Sequence, residues 1–133
     1  MSHPHRILVV EDDPDVGAAM GHRLGREVQV QGVGAGVSAM RPQRIGKPDV
    51  ILLDLGLPAG DGFKILGWLR DNVDLASIPV VVVTGRDGVD VEAAALAHGA
   101  TAFFHKPADM KELMDTVRSL ANRPRVHRRR VLV

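Results

Sequence analysis

At 133 residues, with 45% hydrophobic and 25% charged side chains, the chain has the size and balance of one soluble domain able to bury a core. Arg123, Arg125, Arg128, Arg129 and Arg130 crowd the last eleven residues; the other 12 basic residues face 16 acids, a net charge of −4, which argues against a nucleic-acid-binding body and leaves only the tail to touch a polyanion. The lack of cysteine excludes disulfides and thiol chemistry, and no apolar run approaches the ~20 residues that span a bilayer.

Residues 1–122 read as one domain and 123–133 as a basic tail, disordered or the start of a linker. Met1–Arg6 is polar and precedes only four apolar residues, so no signal peptide is read, and a cytoplasmic setting is expected.

In chain order, Arg6–Val10 is a predicted strand. Asp13-Pro14 reads as an N-cap and first-turn proline, opening a helix with Val16, Ala19, Met20 and Leu24 on one face. Val28–Gly32 is the second strand. Val37–Gly46 is weakly helical, but Pro42 inside it costs about 3 kcal/mol, so a short or kinked helix is expected there. Asp49–Asp54 is a third strand, Phe63–Asp71 a helix, and Ile78–Thr84 a fourth strand. An alanine-rich helix spans Asp90–His98 and stops at Gly99. Thr101–Phe104 is a fifth strand. Asp109, with Glu112 three residues on, opens a last helix whose Met110, Leu113, Met114, Val117 and Leu120 form one apolar stripe.

Strands alternating with helices predict a doubly wound α/β fold, a parallel sheet with helices on both faces. The continuously apolar strands agree, because such strands are buried on both sides. Ligands of these folds bind beyond the carboxyl ends of the strands, so the strand-terminal residues carry the chemistry. They are Glu11, Asp12 and Asp13 after the first strand, Asp54, Thr84, and Lys106-Pro107 after the fifth. If these ends are adjacent, two or three carboxylates, a hydroxyl and an ammonium share a pocket. Acids at that density need a cation, and the all-oxygen donor set favours Mg²⁺ or Mn²⁺ over zinc. One carboxylate can then serve as a nucleophile, with Thr84 and Lys106 pairing with the oxygens of an incoming phosphoryl group.

The segments ILVVEDDPD (7–15), PDVILLDLGLPAGDGF (48–63), IPVVVVTG (78–85) and GATAFFHKP (99–107) together resemble the receiver domains of two-component response regulators. The resemblance covers about residues 5–121 and implies a flavodoxin-like (βα)5 fold, a five-stranded parallel sheet with helices on both faces. It implies that Asp54 is the phosphoacceptor. Asp12 is then a direct metal ligand, with Glu11 its acidic neighbour and Gly56 the donor of a backbone carbonyl. Thr84 matches the switch hydroxyl, Phe103 the switch aromatic, and Lys106 the lysine of the phosphoryl pocket. Lys106-Pro107 matches a bond that the family usually holds cis. Asp13 is better explained as a helix cap than as a ligand.

By the same resemblance the donor of the phosphoryl group is a sensor histidine kinase or a histidine phosphotransfer protein, and the cofactor is Mg²⁺ or Mn²⁺. The surface of the fourth helix, fifth strand and fifth helix switches partners and could form a homodimer. A nucleic-acid target follows only if an output domain exists beyond this chain. The chain is then a signalling phosphoacceptor that catalyses only its own phosphorylation and dephosphorylation. Gly56 and Arg86, two residues after Asp54 and Thr84, occupy positions that tune the phosphoryl lifetime, and Phe103 lacks a phenolic oxygen.

Three other readings compete. In a pseudo-receiver Asp54 would never be phosphorylated, and the domain would act as a protein-interaction module. Gly34-x-Gly36-x-x-Ala39, with Asp54 20 residues after Gly34, has the spacing of a dinucleotide fingerprint. Pro42 damages the helix that would hold pyrophosphate there. A haloacid-dehalogenase-like phosphatase needs a general acid at position 56, and glycine cannot supply a proton. Outside the site, His98 suits a helix C-terminus electrostatically, His105 is expected to be exposed, and Trp68 to be a packing residue.

Overall fold

The computed structural model describes residues 6–10, 19, 22, 28–31, 48–54, 61–73, 75–85, 89–105 and 109–122, with 28–31, 54, 61 and 89 described by their backbone alone. Five strands, β1 (Ile7–Val10), β2 (Val28–Gln31), β3 (Val50–Asp54), β4 (Val80–Thr84) and β5 (Ala102–His105), form one parallel sheet in the order β2-β1-β3-β4-β5. Among the described residues the helices with defined bounds are α1 (Asp61–Asp71), α2 (Val89–Ala97) and α3 (Met110–Ala121).

Apolar residues on both sides of β1, β3 and β4 produce two cores. Leu8, Val10, Ile51, Leu53, Val80 and Val82 point to one face, where Ile65, Leu66 and Leu69 of α1 and Ala95 of α2 cover them. Their chain neighbours Ile7, Val9, Val50, Leu52, Val81 and Val83 point to the other, under α3. The two-residue strand period thus splits one apolar run between two layers. The predicted stripe on α3 packs as expected: Leu113, Met114, Val117 and Leu120 are buried. Asp109 caps that helix, its carboxylate accepting from the backbone N–H groups of Lys111 (3.0 Å) and Glu112 (3.2 Å).

Several boundaries move for local reasons. β4 begins at Val80 rather than Ile78, because Pro79 has no N–H for the ladder, although its carbonyl accepts from Ile51 N–H at 3.0 Å. α1 begins at Asp61, two residues before the expected Phe63. β5 spans Ala102–His105, one residue later than expected. Ala19 is helical and exposed, as is His22 three residues on; Val16, Met20 and Leu24 of the expected face lie outside the described residues. α2 closes in a Schellman motif: Ala100 N–H donates to the Ala95 carbonyl and Gly99 N–H to that of Leu96, with Gly99 at φ +106°. The helix expected near Pro42 and the Asp13-Pro14 cap lie outside the described residues.

The edge where the strands start is laced shut. Arg6 N–H donates to Asp49 Oδ2 at 2.7 Å and Asp49 N–H returns to the Arg6 carbonyl at 2.7 Å. Val80 N–H donates to Thr101 Oγ1 at 3.2 Å, while Thr101 N–H donates to the Val80 carbonyl at 2.8 Å. Side chains therefore close the lower ends of β1–β3 and β4–β5, opposite the ends at which Asp54 and Thr84 stand.

Candidate functional site

The strand order reverses between β1 and β3: from β1 the chain moves to β2 on one side, then crosses back to β3, β4 and β5 on the other. A crevice opens beyond the carboxyl ends of the strands at such a reversal. Asp54, the last residue of β3, ends the strand on one side of it. Its backbone is in register with Val83, and the preceding Leu53 with Val10, the last residue of β1.

Thr84 ends the adjacent strand β4 and is fully buried, the one buried polar residue among those described. A hydroxyl taken out of water costs free energy unless it is hydrogen-bonded. Among the described residues no buried side-chain nitrogen or oxygen lacks a partner, so this one is satisfied. A polar group kept at that depth, at the end of an otherwise apolar strand, is a stronger functional signal than any exposed charge.

Phe103 is half-buried, packed against the core cluster that contains Leu8, Ile51 and Val82, and is in register with Val82. His105 is exposed and in register with Thr84. Because Val80 and Val82 face the α1–α2 layer, the two-residue period puts Thr84 on that same side. Phe103 and His105 share it on β5, and their rings meet edge to face with centroids 4.9 Å apart and planes at 79°.

Thus the structure brings together three strand ends and two of the expected site residues, Asp54 and Thr84, with Phe103 one strand further. Glu11, Asp12, Gly56, Lys106 and Pro107 lie outside the described residues, as does Arg86. Among the described residues no group of three or more histidines, cysteines, aspartates or glutamates stands together as a metal site. Sequence reasoning treated His105 as merely exposed and missed its contact with Phe103. The signal was available: two aromatic rings two residues apart on a strand lie on one face. Asp49 and Thr101 were missed as edge clasps for the same reason, read as strand residues rather than for what their side chains could accept.

An open groove of about 740 Å³ lies elsewhere. It runs between β5 and the outer side of α3, lined by Thr101, Asp109, Lys111, Glu112, Asp115 and Ser119. It is a surface feature of the sheet edge, and the strand-end crevice is the site that the topology defines.

A 2-1-3-4-5 parallel sheet, with an aspartate and a buried threonine at neighbouring strand ends, defines a doubly wound α/β fold whose topological switch point lies between β1 and β3. Residues 7–118 match the family model of the response regulator receiver domain, and the chain belongs to that family. It is similar to the transcriptional regulatory protein PrrA of Mycobacterium tuberculosis, 39% identical over 123 residues. That match covers 89% of this chain and 50% of PrrA; the chain spans about half the length of the curated relatives it matches. Among solved structures, the beryllofluoride-activated N-terminal receiver domain of Klebsiella pneumoniae RstA superposes with a TM-score of 0.76 at 30% identity, over 90% of this chain and 100% of that one. The Mn²⁺-bound form of the response regulator Rcp1 gives 0.68 at 28% identity, over 88% and 91%.

Proposed function

We propose that the chain accepts a phosphoryl group on Asp54 from the phosphohistidine of a sensor histidine kinase or a histidine phosphotransfer protein. A carboxylate oxygen of Asp54 attacks phosphorus, the P–N bond breaks, and the imidazole leaves with the electron pair. Asp54 occupies the switch point of the sheet beside a buried hydroxyl at the next strand end, and this arrangement carries the reading. Glu11 and Asp12 follow β1 in the chain just as Asp54 follows Leu53, the partner of Val10.

Carboxylates and a backbone carbonyl form a hard donor set suited to Mg²⁺ or Mn²⁺. Glu11, Asp12, Asp54 and the Gly56 carbonyl would hold the ion, which supplies charge neutralisation at the phosphoryl oxygens. Rcp1, a structural relative, is known in a Mn²⁺-bound form. Thr84 and Lys106 pair with the phosphoryl oxygens, and Phe103 turns inward behind Thr84. Phosphorylation adds roughly two negative charges, and the surface formed by α2, β5 and α3 then changes its partners.

We take residues 1–122 as the receiver and 123–133 as a basic tail, disordered or the start of a linker. PrrA and RpaA, named as a transcriptional regulatory protein and a DNA-binding regulator, are about twice as long as the matched region, so we assign nucleic-acid contact to an output domain and not to the receiver. None of the described helices is long and apolar enough to cross a membrane, and we place the domain in the cytoplasm, where its phosphodonor acts. The domain catalyses only its own phosphorylation and dephosphorylation.

Incubation with acetyl phosphate and Mg²⁺, followed by phosphate-affinity electrophoresis, is the test. A slower band lost in Asp54→Asn is expected; no shift in the wild-type chain would leave only a protein-interaction module.

A further inference from the structure

We infer that His105 is a positioning residue for the Phe103 ring and sets how readily the domain switches. This rests on the reading of Thr84 and Phe103 as the switch pair. His105 has two neighbours that matter. Across the ladder it is in register with Thr84, and along its own strand its ring meets Phe103 edge to face at 4.9 Å and 79°. Aromatic pairs favour this arrangement because the positive edge of one ring meets the negative face of the other.

The two partners differ in environment. His105 is exposed, whereas Phe103 is half-buried against the α1–α2 core. The contact therefore holds the Phe103 ring toward the solvent-facing end of β5. A ring turned fully inward beside Thr84 leaves that edge behind. The pairing stabilises one orientation only, and an interaction made in one state alone shifts the equilibrium by its whole worth. Removing it moves the population about 2- to 10-fold toward the inward ring, the range expected for an aromatic pair. His105 lies beside Thr84 in the ladder but makes no contact with the phosphoryl group by this account. It acts through Phe103, on the affinity for the activating group and not on the chemistry.

The test places 4-fluorophenylalanine at position 103 in the full chain and follows its ¹⁹F resonance during titration with beryllofluoride and Mg²⁺. In His105→Ala the resonance should start closer to its activated position, with half-saturation at about 2- to 10-fold less beryllofluoride than wild type. His105→Tyr, which keeps an aromatic edge, should restore the wild-type midpoint, and His105→Leu, which keeps bulk without the edge, should not. A responsive wild type with an unchanged midpoint in His105→Ala, or rescue by leucine, overturns the inference and leaves the phosphoacceptor reading intact. A wild-type resonance that ignores beryllofluoride overturns both.

Discussion

Thr84 and Phe103 face the same layer from adjacent strands, two positions apart in register: Phe103 is partnered with Val82, and Thr84 with His105. A diagonal of this kind brings long side chains within reach of one another. The buried hydroxyl thereby stands diagonal to the half-buried ring on the edge strand.

Thr84→Val keeps the β-branched shape suited to a strand and removes the hydroxyl. The domain should still fold, at a cost of about 1 kcal/mol for the lost hydrogen bond. Asp54 should still be phosphorylated by acetyl phosphate, but the ¹⁹F resonance of 4-fluorophenylalanine at position 103 should no longer respond. An unaltered response would remove Thr84 from the switch.

Chelation tests the ion. With EDTA in excess, phosphorylation of Asp54 should fall to background, and either Mg²⁺ or Mn²⁺ should restore it because both accept an all-oxygen donor set. Restoration by neither would show that the acids after β1 do not hold a metal.

Thr101→Val removes the acceptor for Val80 N–H at the closed edge of the sheet. A loss of about 1 kcal/mol is expected in urea unfolding. The rate of phosphorylation by acetyl phosphate should stay within about twofold, since Thr101 lies at the opposite end of its strand from the site. A large loss of rate with little loss of stability would contradict that separation.

Leu113→Ala and Leu96→Ala delete the same atoms from different surroundings. Leu113 is 0% exposed under the sheet and Leu96 46% exposed on α2. The first should cost about 2–5 kcal/mol and the second less than about 1 kcal/mol, both measured by urea unfolding. Equal costs would mean that α2 packs against more than its present layer.

The sheet and the cover of α3 were legible in the sequence because periodicity reports burial directly. Uninterrupted Val80–Val83 announced a strand buried on both sides, and the spacing of Leu113, Met114, Val117 and Leu120 announced a helix buried on one. The family was legible because four segments stood in order, each closing a predicted strand. Boundaries were less clear, since they depend on single hydrogen bonds: Pro79 shortens β4 for want of an N–H, and α1 starts two residues early. The failures were in side-chain partnership. Ala19 counts as apolar in any pattern, yet its small side chain is tolerated in solvent. His105 gave no sign from composition alone that its ring would be spent on Phe103.

The clasp made by Thr101 on Val80 has a mechanical meaning. β5 is a four-residue outer strand fixed to its only neighbour at the start, and its other end carries the histidine and the phenylalanine. A displacement imposed at that end, where His105 pairs with Thr84, would turn β5 about the anchored one. A small shift at Thr84 would tilt the margin of the molecule and leave the frame beneath it at rest.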